Sequence, residues 1–208
     1  MALNRESYFN KSRVEALSDG IFAVSITLLV LGIRVPEIHN HQSMSELAKA
    51  LLTLIPKLLS WIISFLIVCV IWVNHHHIFK QLKIVTKSIF WFNANLLLWS
   101  TLIPFPTALM GDYVNNPLSL ITFGIINLLL SFSFYFLRKN IIKNDFVLKE
   151  NVDRTHYKNA TRKLLIFGPI LYVLGILSSL IHPYIAFTIY FFIPFYFVFF
   201  SSSKLKED

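Results

Sequence analysis

The chain has 208 residues, 55% of them hydrophobic and 14% charged, with a mean hydropathy of +0.62. That balance excludes an ordinary soluble globular domain, which needs a polar surface. The formal net charge of +8 raises the question of nucleic acid, but the basic residues fall between apolar runs and not along one face, so they read as topogenic and no nucleic-acid partner is expected.

The first element opens on Ser12-Arg13-Val14-Glu15, which fits a capping box, and continues through Asp19 and Gly20 into an apolar run. Basic residues ahead of such a run resemble the start of a secretory leader. A helical start precedes this run, however, and no small-residue cleavage site follows it, so it is expected to remain as a first span over 13–34. A carboxylate within a span costs ~2.5 kcal/mol or more at the membrane centre, and less near the interface, unless it is paired or hydrated. At 100° per residue Arg13 and Asp19 lie ~120° apart, so the partner of Asp19 must come from another span. The same arithmetic gathers Arg13, Leu17, Gly20, Val24, Thr27, Leu28 and Leu31 on one face and sets Asp19 roughly opposite. A face with a basic residue at its mouth, then aliphatic groups and one hydroxyl, suits the lining of a symmetric pore. Ordinary bundle packing of both faces is the competing reading.

A second span is expected over 50–74, with Asn74-His75-His76-His77 following it at the level of Asp19. A histidine can donate to a carboxylate, so His75, His76 and His77 are candidate partners for Asp19. Adjacent histidines on a helix diverge by ~100°, and three in a row cannot ligate one metal without help, so no metal site is expected. Cys69, the single cysteine, has no intrachain partner.

The third span, 89–110, carries Asn93 and Asn95 as candidates for hydrogen bonds between helices. Pro104 and Pro106 should kink or end it, and Trp99 and Tyr113 are suitable interfacial anchors. A fourth span covers 117–137, and 138–163 is the one long polar connection, expected as an extension of the neighbouring helices. Two more spans, 164–181 and 184–201, are separated by His182-Pro183, with a re-entrant pair as the alternative.

Basic residues set the orientation. Arg5, Lys11 and Arg13, then Lys80, Lys83 and Lys87, then the eight basic residues of 138–163, and finally Lys204 and Lys206 all fall on one side of a six-span chain. Only Arg34, Lys49 and Lys57 of the 19 basic residues remain for the other side, which makes both termini cytoplasmic. No carbonyl filter of the TVGYG type, arginine-rich voltage sensor, phosphate-binding loop or hydrolase motif is present in the sequence, and no catalytic residues are assigned.

Arg13-x-x-x-Leu17-Ser18-Asp19-Gly20, followed by the Ala-Val-Ser-Ile-Thr-Leu-Leu-Val-Leu run, resembles the signature of the transmembrane protein 175 family of potassium channels. The histidines 75–77 and the Leu-Ile-Pro-Phe-Pro-Thr stretch at 102–107 also resemble family features. The resemblance implies an all-α polytopic membrane protein of six transmembrane helices, a single subunit over 1–208 that assembles as a homotetramer in the lipid bilayer. Its first helices would surround a pore for monovalent cations, with potassium as the permeant ion and no cofactor. It implies constriction by Val24, Leu28 and Leu31 and a selectivity role for Thr27. Arg13, Ser18, Asp19 and the histidines would hold the helix in place. Leu17 departs from the family's phenylalanine, and Val24 is smaller than the usual first-ring residue. The rival function is a proton-coupled transporter that uses Asp19 and the 75–77 histidines as a relay.

Overall fold

The computed structural model describes residues 9–197, except for the side chains of 145, 160 and 163–167. Arg5, Lys204, Lys206 and the expected end of a sixth span at 198–201 lie outside the described residues. Every regular element of the described residues is a helix. Helix α1 (Lys11–Leu29) passes into one 3-10 turn, Val30–Gly32, and a short helix α2 (Met44–Thr53) precedes α3 (Ile55–Gln81). Then come α4 (Lys87–Leu102), α5 (Pro104–Asp112), α6 (Pro117–Lys143), α7 (Arg154–Ser179) and α8 (Pro183–Tyr196).

The start of α1 differs from the expected capping box. Asn10 is the cap, its side-chain oxygen accepting from the backbone N–H groups of Ser12 and Arg13. Asparagine caps as well as serine, and here the long-range geometry decides between them. Phe9 pairs through its backbone with Val85 and stacks on Phe90 at 4.4 Å, which fixes the chain just ahead of Asn10.

Helix α3 also differs from its expected limits. It starts later, with Pro56 in the first turn where a missing N–H is harmless, and it runs on to Gln81, so His75, His76 and His77 lie inside the helix. Pro104 ends α4 as expected. It brings no N–H to the Ser100 carbonyl, which accepts from Ile103 at 3.3 Å instead, and α5 begins on the proline itself.

Four segments are long and apolar enough to cross a membrane: Lys11–Gly32, Ile55–Gln81, Lys87–Asp112 and Pro117–Lys143. The remaining two expected spans correspond to shorter apolar stretches, Gly168–Ser179 within α7 and Pro183–Tyr196. Helix α7 begins much earlier than its apolar part because Asp153 caps it, accepting from the N–H groups of Thr155 and His156. The polar connection is therefore short, since α6 continues through Lys143.

Helix α1 packs on α3, α4 and α5, and α6 packs on α4 and α7. The junction of α6, α7 and α8 is built around Tyr190. Gly124 and Gly175 lie against its ring and hydroxyl so closely that a Cβ at either would collide with it, and the hydroxyl donates to the Leu120 carbonyl at 3.1 Å. A Lys57–Asp112 ion pair ties the start of α3 to the end of α5.

Candidate functional site

Val14, Ser18, Phe22, Ser25 and Leu29 recur at intervals of three and four residues, and all five are buried. This stripe docks α1 onto the rest of its subunit. Ser25 satisfies its hydroxyl on the Ile21 carbonyl of its own helix, whereas Ser18 takes part in a buried junction of three helices. The amide nitrogen of Asn93 donates to the Ser18 hydroxyl at 2.9 Å, and that hydroxyl donates to the Val14 carbonyl at 2.8 Å. With its nitrogen so engaged, Asn93 presents its oxygen to His75 Nε2, 2.8 Å away. The network therefore assigns the proton to Nε2 and runs in one direction, from His75 through Asn93 and Ser18 to the α1 backbone. Phe22 meets the His75 ring edge-on at 5.3 Å and Phe79 stacks on it at 4.3 Å, which closes the junction on its apolar sides.

Asp19 sits on the flank of the same helix. Its carboxylate accepts from the indole nitrogen of Trp72 at 2.8 Å and not from His75, His76 or His77, which corrects the histidine pairing expected from the sequence. His75 turns into the core to reach Asn93, so the α3 side chain left at the flank is Trp72, nearly one turn earlier. Trp72 in turn stacks on His76 at 6.0 Å, and His77 lies edge-on to His76 at 6.2 Å. The three histidines thus have three different surroundings. Among the described residues no group of three His, Cys, Asp or Glu side chains is placed to hold a metal ion. Arg13 is exposed, and among the described residues its side chain has no partner.

The opposite side of α1 carries the remaining candidates. Leu17 is 50% exposed, Val24 55%, Leu28 42% and Leu31 69%, with Gly20 and Thr27 also exposed among them. None of these is needed to bury the core of its own subunit. Leu31 falls in the 3-10 turn that follows α1, where residues advance by ~120°, and it is nevertheless exposed with the others. Thr27 donates its hydroxyl hydrogen to the Val24 carbonyl at 2.9 Å, so what it offers outward is oxygen lone pairs. Trp72 is not expected from the sequence, and Asn93 is expected there only as a residue for hydrogen bonds between helices, not as the link from Ser18 to His75. The signal for Trp72 was its place on α3 within one turn of the histidines, next to a helix carrying an unpaired acid.

Comparison with known proteins adds the family context. A family model described as endosomal/lysosomal potassium channel TMEM175 matches residues 13–104, from the start of α1 to the α4–α5 break. A potassium channel of Chamaesiphon minutus is 37% identical over 188 residues, covering 89% of this chain and 92% of its own length. A potassium channel of a Chryseobacterium species is 35% identical over 183 residues, covering 87% and 88% respectively. Among solved structures, a lysosomal potassium-selective channel TMEM175 homolog from Chamaesiphon minutus superposes with a TM-score of 0.79 at 33% identity, over 90% of this chain and 96% of that one.

Proposed function

The chain belongs to the TMEM175 family of ion channels, and from that premise we propose that it is a leak-type potassium channel whose ion path is lined by the outward face of α1. In this reading the subunit, 1–208, spans the cell membrane six times, with the two shorter apolar stretches completing the count and both termini in the cytoplasm. Four copies assemble so that their α1 helices surround the axis. Rings of Val24, Leu28 and Leu31 form a hydrophobic constriction that closes by dewetting, and no carbonyl filter is used. Four Thr27 oxygens replace part of the hydration shell of a potassium ion when the rings dilate.

The observation that carries this reading is the division of α1 into two unlike faces. One is fully buried and anchored through Ser18, while the other exposes Leu17, Val24, Thr27, Leu28 and Leu31. Thr27 gives its hydrogen to its own helix, and a cation needs the lone pairs that remain. Ser18, Asp19 and His75 hold α1 to α3 and α4, His76 supports Trp72 from the side with His77 against it in turn, and Arg13 places positive charge at the cytoplasmic mouth. For a proton-coupled transporter, Asp19 and the histidines would have to form one relay. They belong to separate hydrogen-bond sets here, Asp19 with Trp72 and His75 with Asn93.

Purified protein in potassium-loaded liposomes tests the proposal. A flux set by the potassium gradient alone, with a larger response to potassium than to sodium, is the expected result. Obligatory coupling to a proton gradient, or no flux, would overturn it.

A further inference from the structure

We infer that a cleft between α3, α6, α7 and α8 binds one anionic phospholipid, with the phosphate on Arg138 and an acyl chain along the apolar wall. The cleft is open to the outside and holds a cavity volume of about 80 Å³. Ile67, Leu130, Tyr172 and Ile193 contribute to the wall, Asn127 lines one end and Arg138 the other. These two residues are separated by three turns of α6, ~16 Å along its axis, about half of the ~30 Å hydrocarbon thickness of a bilayer. The cleft is therefore as deep as one leaflet and carries its charge at the interfacial end.

Arg138 is only 8% exposed. Its Nε donates to the Thr161 hydroxyl at 2.8 Å, an Nη2 donates to the Tyr157 carbonyl at 3.4 Å, and the guanidinium lies 4.2 Å from the centre of the Tyr157 ring. All of these partners are neutral, and among the described residues no carboxylate forms an ion pair with it. A guanidinium has five N–H donors, so several remain uncommitted beside the cleft, in the fork geometry that matches a phosphate. A buried cation of this kind calls for an anion.

The other end of the cleft is also incomplete. Asn127 donates one amide hydrogen to the Phe123 carbonyl at 2.9 Å, and its buried side-chain oxygen has no donor among the described residues. Four helices thus surround a space without closing it or pairing all the polar atoms at its ends. The apolar wall between those ends selects a lipid over free phosphate. The leaflet concerned is the one facing the basic connections, which is cytoplasmic in the orientation proposed above, and basic pockets between helices on that side suit anionic headgroups. Binding here does not depend on conduction, so it stands or falls apart from the channel reading.

Native mass spectrometry of the full chain in detergent tests the inference, with phosphatidylglycerol, phosphatidylcholine and inorganic phosphate as separate probes. Phosphatidylglycerol should be retained with roughly tenfold preference over phosphatidylcholine, and Arg138→Gln should abolish that preference. Gly168→Leu should lose the lipid with the charge intact, because a Cβ there meets only Ser131, at 3.5 Å, and the longer side chain fills the cleft. If Arg138→Gln does not fold, Gly168→Leu decides alone. Equal retention of both lipids by the native chain, undiminished retention in Gly168→Leu, or displacement of phosphatidylglycerol by inorganic phosphate would each overturn the inference.

Discussion

Asn93 on α4 donates to the hydroxyl of Ser18 on α1 at 2.9 Å, and its carbonyl oxygen meets His75 of α3 at 2.8 Å. One amide therefore joins three helices, because it alone offers a donor and an acceptor in fixed positions. Asn93→Leu leaves the buried His75 Nε2–H without its acceptor and Ser18 with only its bond to the Val14 carbonyl, and the expected loss of stability is about 1–3 kcal/mol. Thermal unfolding in detergent should show this, and Ser18→Ala should cost less in the Asn93→Leu background than alone. Equal effects of Ser18→Ala in both backgrounds would separate the two residues energetically.

Asp19 and Trp72 make a second, more exposed tie between α1 and α3. Asp19→Asn retains an oxygen for the indole N–H and should assemble nearly normally. Asp19→Ala should reduce the fraction of tetramer seen by light scattering after size exclusion, while the reversal potential of the remaining channels stays unchanged. Normal assembly with an altered reversal potential would place Asp19 in the ion path instead.

The α7–α8 packing gives a stability prediction remote from the ion path. Gly175→Ala puts a methyl group into the ring of Tyr190, which is fully buried and tied to the Leu120 carbonyl. Overpacking at such a site costs about 1–3 kcal/mol, and the melting temperature should fall accordingly. Tyr190→Phe in the same background should recover little, since the ring itself is the obstacle.

The two faces of α1 could be read from the sequence because a 3.6-residue period sorts Ser18 from Val24 and Leu28 wherever the helix begins. Pro104 and Pro183 were legible for a similar reason, since each acts on its own backbone. Other features depend on distant contacts. Serine at 12 and asparagine at 10 are equally good caps, and the choice is made by Phe9 against Val85 and Phe90. The partner of Asp19 depends on how far α3 extends and on His75 turning inward to Asn93, neither of which a local pattern contains. The span count was harder because hydropathy and helix limits do not coincide in α7, which is helical from Arg154 but has its shorter apolar stretch at Gly168–Ser179.

Thr27 tests the proposed coordination chemistry. Thr27→Val keeps the shape and removes the oxygen, so the potassium-to-sodium permeability ratio from bi-ionic potentials should fall several-fold with little change in assembly. An unchanged ratio would leave Thr27 with no part in selectivity.

The most direct test of the account is thiol accessibility on α1 during flux. In a Cys69→Ser background, Leu28→Cys places a single thiol on the outward face, and Ile125→Cys places one on the exposed side of α6 as a control. A membrane-impermeant cationic thiol reagent should block potassium flux through Leu28→Cys channels and spare the Ile125→Cys control. Full flux in modified Leu28→Cys channels would contradict the claim that this face of α1 lines the ion path.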